Sequence, residues 1–241
     1  MVSSTLQHRR KAFRSSGPTD PYFANVVALL HLDGTNGSTT ITDVKGNACT
    51  AVNGAAISTA QSKFGGSSLL LDGTNDHVQI TNPGSAFDLG SSNFTIDWWF
   101  RSANVAITSS KPMWAWRNTG AANNSHIACN LRSNALRVAI SFDNSTDATT
   151  AAFGAASMSI SNDTWHFCRL TRSGSDFKLF IDGTQRGSTY SNATSFTNVS
   201  RDCWLGKNNA AYYPDYLDDF RVTIGVARDG SEVPTAAFPD S

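Results

Sequence analysis

Between Phe94 and Arg101 the chain alternates without a break: Phe94, Ile96, Trp98 and Phe100 fall on one side, and Thr95, Asp97, Trp99 and Arg101 on the other. Successive side chains of a strand point to opposite faces, so this period of two predicts a β-strand with one face in a core and Trp99 on the other face. Shorter apolar runs closed by Asp-Gly repeat the theme. Val26 to Leu32 ends at Asp33-Gly34, Ser68 to Leu71 at Asp72-Gly73, and Phe177 to Ile181 at Asp182-Gly183. Further strands are predicted at His77 to Ile80, Leu136 to Phe142, Trp165 to Leu170, from Trp204-Leu205-Gly206, and at Leu217 to Ile224. Ser173-Gly174 reads as the turn of a hairpin between Trp165–Leu170 and Phe177–Ile181. At least eight strands at roughly even spacing favour a sandwich or barrel over any βαβ plan.

Composition agrees. Glu232 is the single glutamate of the 241-residue chain, and exposed helix formers give way to Ser, Thr, Asn and Gly, which favour turns. The formal net charge of +0 argues against a nucleic-acid footprint over the whole domain. The charge is nevertheless uneven, because His8, Arg9, Arg10, Lys11 and Arg14 cluster in a polar leader closed by Gly17-Pro18 and Asp20-Pro21. Residues 1–21 are therefore read as a basic arm and residues 22–241 as the folded domain. No apolar run follows the arm early enough for a signal peptide, and none approaches a membrane span, so synthesis in the cytoplasm is expected. Cys49, Cys129, Cys168 and Cys203 are widely spaced, without a zinc-like pair, and four free thiols are expected.

Several segments resemble one family. Leu30-His31-Leu32-Asp33-Gly34 with Asp43 and Gly46-Asn47 resembles the opening of laminin-G-like, concanavalin A-like jelly rolls. Phe64-Gly65-Gly66-Ser67-Ser68-Leu69, Leu71-Asp72-Gly73 and Asp76-His77-Val78 are similar to their next strand pair. Phe94 to Phe100 resembles the family's central aromatic strand. Trp165-His166, Leu170-Thr171-Arg172 and Leu179 to Gly183 resemble its late hairpin, and Leu217 to Val222 its closing strand. The resemblance implies an all-β antiparallel sandwich of the jelly-roll type. The tail Gly225-Val226-Ala227-Arg228, Pro234 and Phe238-Pro239-Asp240, with the entry Asp20-Pro21-Tyr22-Phe23, is similar to stand-alone domains in structural proteins of tailed bacteriophages: tail fibres, appendages or capsid decorations. That setting implies a location in the virion.

Glycosidases of this fold place paired carboxylates on one strand, one as acid and one as nucleophile. Here Asp97 stands alone, and no Gly-x-Ser-x-Gly elbow or phosphate-binding loop is found, so the chain is expected not to be an enzyme. Asp33, Asp43 and Asn47 on the first long loop and Asp219 on the closing strand form a candidate structural calcium site, with turn chemistry as the equal alternative. Sugar recognition calls for exposed aromatic rings beside hydrogen-bonding side chains. Trp114 and Trp116 and the run Tyr212, Tyr213 and Tyr216 are the candidates, although a spacing of two also suits Trp114 and Trp116 to an ordinary core. The tyrosines suit a subunit interface equally well.

Arg9, Arg10, Lys11 and Arg14 are the candidate anchor to a capsid, portal or tail subunit, with glycans of the host or environment as further partners. No nucleic acid or membrane is expected as a partner. Homo-oligomers are common in such a setting, yet no heptad or collagen-like repeat supplies a trimerisation stalk. The reading is a virion structural protein displaying a jelly roll. Its alternatives are a free-standing lectin-like module and, more weakly, a carbohydrate-active enzyme.

Overall fold

The alternating segment lies in the middle of one sheet of a two-sheet sandwich. The computed structural model describes residues 19–81, 84–117, 125–142, 149–151, 158–197 and 201–241. The first strands are β1 (Val26–Leu30), β2 (Cys49–Val52), β3 (Ala56–Ser58), β4 (Ser68–Asp72), β5 (His77–Ile80) and β6 (Phe94–Arg101). Then come β7 (Lys111–Arg117), β8 (Ser125–Arg132), β9 (Ala135–Ile140), β10 (Thr149–Ala151), β11 (Trp165–Ser173) and β12 (Asp176–Ile181). The last are β13 (Thr184–Ser191), β14 (Asp202–Leu205), β15 (Lys207–Asn208), β16 (Ala211–Tyr212) and β17 (Pro214–Ile224). An eight-stranded sheet runs β13-β12-β11-β6-β17-β4-β3, with β1 also on β17. A seven-stranded sheet runs β10-β9-β8-β7-β14-β5-β2, and β15 and β16 form a separate hairpin. All pairings are antiparallel, as the expected jelly roll requires. Among the described residues no helix is long and apolar enough to cross a membrane.

The sheets meet over the residues that the alternation singled out. Ile96, Trp98 and Phe100 of β6 join Trp114 and Trp116 of β7 in the main core. The rings of Trp98 and Trp114 meet edge to face at 5.3 Å, and those of Trp114 and Trp116 at 5.7 Å. Trp98 Nε1–H donates to Met113 Sδ at 3.2 Å. Burying each such ring stabilises the fold by about 1.5–3 kcal/mol relative to exposure. Trp114 and Trp116, candidates for sugar stacking, are thus core residues at 0% and 2% exposure. Their spacing of two puts both on the inner face of β7, so neither ring is presented to a ligand. All four cysteines are free, and burial raises their thiol pKa values, that of Cys49 to about 12.

The outer face of the eight-stranded sheet carries a second, smaller core. Val26 and Leu29 of β1, Trp99 of β6 and Phe167 of β11 are covered there by Phe238 from the C-terminal segment. Asp20 also meets the last residue, donating its N–H to Ser241 O at 2.7 Å. Asp20, assigned with the arm from sequence, therefore belongs to the fold. Arg9, Arg10, Lys11 and Arg14 lie outside the described residues.

Candidate functional site

Beneath the terminal segments lies a network of buried charge. Asp97, the outward residue of β6, accepts from Arg169 Nε at 2.6 Å and from Arg221 Nε and Nη2 at 3.0 and 2.6 Å. Arg221 Nη1 donates to Asp20 Oδ2 at 3.1 Å, and Arg228 grips Asp20 through two bonds of 2.9 and 2.6 Å. Phe238 lies 3.7 Å from the Arg221 guanidinium. Burial alone pushes Asp97 upward, but Arg221 and Arg169 outweigh it and hold the carboxyl below its ordinary range. The same balance, with Arg228 as the main partner, lowers Asp20. A cleft of about 310 Å³ over this network is lined by Thr19, Glu232 and Pro239 among others. The guanidinium donors are directed at carboxylates, the Asp229 carbonyl and the Thr223 hydroxyl, and Asp97 and Asp20, the two carboxylates of the network, are both held by guanidiniums.

A Ser-His-Asp grouping is present but is not catalytic in form. His166 Nδ1 pairs with Asp182 Oδ2 at 2.7 Å, while its Nε2 accepts the backbone N–H of Ser161 at 3.0 Å. Ser161 Oγ turns instead to Thr164 Oγ1 at 3.3 Å. With Nε2 occupied by an amide, the ring has no lone pair for a serine hydroxyl. His166 is buried, and this clamp ties the turn before β11 to the turn after β12.

The four candidate calcium ligands do not converge. Asp43 Oδ1 accepts from the N–H groups of Leu29 and Lys45, both at 2.9 Å, and its other oxygen takes the Asn47 amide. Asn47 also donates to Val27 O at 2.8 Å. Asp219 Oδ1 pairs with His31 Nδ1 at 2.7 Å, and its Oδ2 accepts Phe238 N–H at 2.9 Å. Asp33 accepts the Ser67 hydroxyl at 3.4 Å. Protein donors thus occupy the oxygens of Asp43 and Asp219. Among the described residues no three His, Cys, Asp or Glu side chains gather as a metal would need. His31 instead clasps the C terminus, since its Nε2 pairs with Asp240 at 2.8 Å. The bond to Asp219 is the largest cause that raises its pKa to about 9.

The three candidate tyrosines separate. Tyr213 is buried at 0% exposure and donates its hydroxyl to Arg101 O at 3.0 Å, so it anchors rather than binds. Tyr216 is half-buried and sits in β17 opposite Arg101 and Leu70, on the outer face of the eight-stranded sheet. Tyr212 is half-buried on the opposite side of the molecule, in the β15–β16 hairpin beside the seven-stranded sheet.

That hairpin completes a surface cluster. In β14, Cys203 and Leu205 enter the core, so Trp204 faces outward; in β5, Val78 and Ile80 enter, so His77 and Gln79 face outward. Trp204 and Gln79 are directly paired. The chain then turns at Gly206, whose φ of +87° suits glycine, and any Cβ there would lie 2.4 Å from Leu71. Gly206 N–H donates to Met113 O, and Tyr213 N–H to Gly206 O, both at 2.8 Å. So fixed, the hairpin brings Lys207 Nζ over the rings of Trp204 and Tyr212, at 4.7 and 5.4 Å from their centroids. The ring of His77 lies 5.4 Å from that of Trp204 and 6.4 Å from that of Tyr212. Burial and then Lys207 lower the His77 pKa, so the ring is uncharged at neutral pH. Gln79 donates to Asp202 at 2.7 Å beside the cluster. Further along the same face Ala115, Ala128 and Asn130 are buried although they point away from the core, so the open part is the β14–β5–β2 end.

Sequence reading singled out Tyr212 but not its neighbours in this cluster, Trp204, His77 and Lys207. The available signal was Cys203-Trp204-Leu205, in which an aromatic alternates against core residues just before a Gly turn.

An antiparallel jelly roll with one outer face sealed by its termini, and an aromatic cluster on the other, places this protein in the class of lectin-like sandwiches. The Laminin_G_3 profile of the concanavalin A-like lectin/glucanases superfamily matches residues 72–233, and the chain belongs to that family. No curated protein matches the sequence. Among solved structures it is similar to the binding domain of botulinum neurotoxin DC in complex with SialylT, with TM-score 0.63 and 15% identity over 87% of this chain and 50% of that one. It is similar to domain 4 of AbnA, a GH43 extracellular arabinanase from Geobacillus stearothermophilus, in complex with arabinotriose, with TM-score 0.59 and 14% identity over 86% and 96%. The binding domain of Paraclostridial mosquitocidal protein 1 matches with TM-score 0.62 and 17% identity over 87% and 51%. The chain spans about half the length of the toxin domains.

Proposed function

We propose that this protein is a non-enzymatic glycan-binding jelly roll displayed by a phage virion, and that it engages sugar through the Trp204–Tyr212 face. The observation that carries the reading is the cluster itself: two half-buried rings, an amine over both, and Gln79 and Asp202 alongside. Aromatic rings pack on the apolar faces of sugars while adjacent polar groups bond the hydroxyls. Family membership and the sugar-bound neighbours support a binding role without naming the ligand. A non-enzymatic role is supported by Asp97 being pinned between two guanidiniums and by His166 being saturated.

The virion setting rests on the resemblance of the chain's ends to phage structural domains and on the basic arm. Its geometry suits display. Residue 19 emerges on the side of the eight-stranded sheet, where Asp20 is fixed, and the aromatic cluster lies on the other sheet. An arm docked on a capsid, portal or tail subunit would leave the cluster facing outward.

The test mixes the full chain, or a form lacking residues 1–18, with undecorated particles and sediments them, alongside a glycan array. The expected result is that only the full chain pellets at fixed stoichiometry, while both forms bind the same sugars. Sugar binding without pelleting of either form means a free-standing lectin-like module. Release of reducing ends from a bound glycan overturns the non-enzymatic reading.

A further inference from the structure

Lys207 stands out within the cluster. It is half-buried, its amine lies over two rings, and among the described residues it meets no carboxylate. The neighbouring acids are engaged elsewhere. Asp76 accepts the N–H groups of Gly54 at 2.7 Å and Asp72 at 3.2 Å. Asp72 accepts those of Thr74 and Asn75 at 2.7 and 3.3 Å, and Asp202 accepts the Gln79 amide at 2.7 Å. His77 is buried, and burial followed by Lys207 lowers its pKa, so it adds no competing charge.

An ammonium held over aromatic faces gives up part of its hydration, and a charge-assisted bond to an anion offsets that loss better than a neutral hydroxyl does. The hairpin fixes its position: Lys207 is paired with Tyr212 and follows a glycine that tolerates no side chain. We propose that the Trp204–Tyr212 face selects a glycan carrying a carboxylate, with Lys207 as the residue that reads the charge. This inference rests on the glycan-binding reading of the same face.

The experiment uses an array in which each uronic-acid oligosaccharide is printed beside its methyl ester, which keeps the ring and removes the charge. The full chain is compared with Lys207→Met, Lys207→Arg and Trp204→Ala. The expected result is binding confined to free acids, weakened by added salt, reduced about tenfold or more in Lys207→Met and largely restored in Lys207→Arg. Equal binding of acids and esters that still needs Trp204 overturns the charge selection while the glycan-binding face stands. Binding that survives both Lys207→Met and Trp204→Ala places the site elsewhere and overturns both, as does no binding to any sugar. Circular dichroism and a melting curve on each variant show that a loss of binding is not a loss of fold.

Discussion

The two outer faces of the sandwich solve the problem of an exposed sheet in opposite ways. On the eight-stranded sheet the segments around Asp20 and Phe238 fold back, and with the clasp on His31 they seal a layer containing Asp97 and three arginines. On the β14–β5 end of the seven-stranded sheet no terminal segment among the described residues returns, and a short hairpin instead raises Lys207 and Tyr212 beside Trp204. Buried ion pairs and aromatic contacts on the first face stabilise the fold. The half-buried rings on the second, with an amine that meets no carboxylate among the described residues, contribute less to stability. Charge alone therefore does not mark a site; the proposed reading rests on a charge that meets no carboxylate among the described residues.

The largest expected effect lies on the sealed face. Asp97→Asn leaves Arg169 buried without its carboxylate and Arg221 with Asp20 alone, and should cost about 3–5 kcal/mol, read as a lower urea midpoint. Glycan affinity of the folded fraction should not change; a parallel loss of affinity would mean that the two faces are coupled. Phe238→Ala comes next, at about 3 kcal/mol, because it opens the small core over Trp99 and Phe167. A melting temperature unmoved by that change would show that the C-terminal segment does not seal this face.

The pH dependence sharpens the same contrast. The pKa of His31 is raised in the folded protein to about 9 from 6.5. Its stabilisation is therefore complete below pH 6.5 and is lost as pH rises through about 9. Asp218, pushed up to about 8 chiefly by burial, likewise binds a proton more tightly when folded and lowers stability as pH climbs from 3.8 towards 8. Asp97 and Asp20 act in the other direction: their pKa values are depressed, and their contribution is lost as pH falls below 3.8 through the folded values. Stability should fall on both sides, and His31→Gln should flatten the alkaline decline. An unchanged alkaline limb in His31→Gln would remove the clasp from the account.

The smallest effect on stability belongs to the open face. Trp204→Ala should lower stability by only about 1 kcal/mol, since its ring is half-buried, yet abolish sugar binding. A loss as large as that of Asp97→Asn would make Trp204 a structural residue rather than a binding one.

How much of this was legible follows from where each signal resides. The strand Phe94–Arg101 and the hairpin Trp165–Ile181 were readable because core residues alternate within a single segment. Strand β13 was not, since Thr184–Ser191 is polar almost throughout and is held by pairing with β12. The sealing of Asp97 was hidden because Asp20, Arg221 and Phe238 come from distant parts of the chain. The tyrosines show the limit most plainly. A loop reading grouped Tyr212, Tyr213 and Tyr216, but a tight turn at Gly206 and the register of β17 send them to one face, the core and the other face. Trp204 was overlooked because a lone aromatic between two core residues is distinguished only when its neighbours in space are known.

The most direct test of the contrast compares Tyr212→Ala with Tyr216→Ala, titrated against whichever oligosaccharide the full chain binds on the array. The positions are close in sequence and lie on opposite outer faces. The account predicts that Tyr212→Ala weakens binding severalfold or more while Tyr216→Ala binds like the full chain. Loss of binding in Tyr216→Ala with Tyr212→Ala unaffected would place the functional surface on the eight-stranded sheet and contradict it.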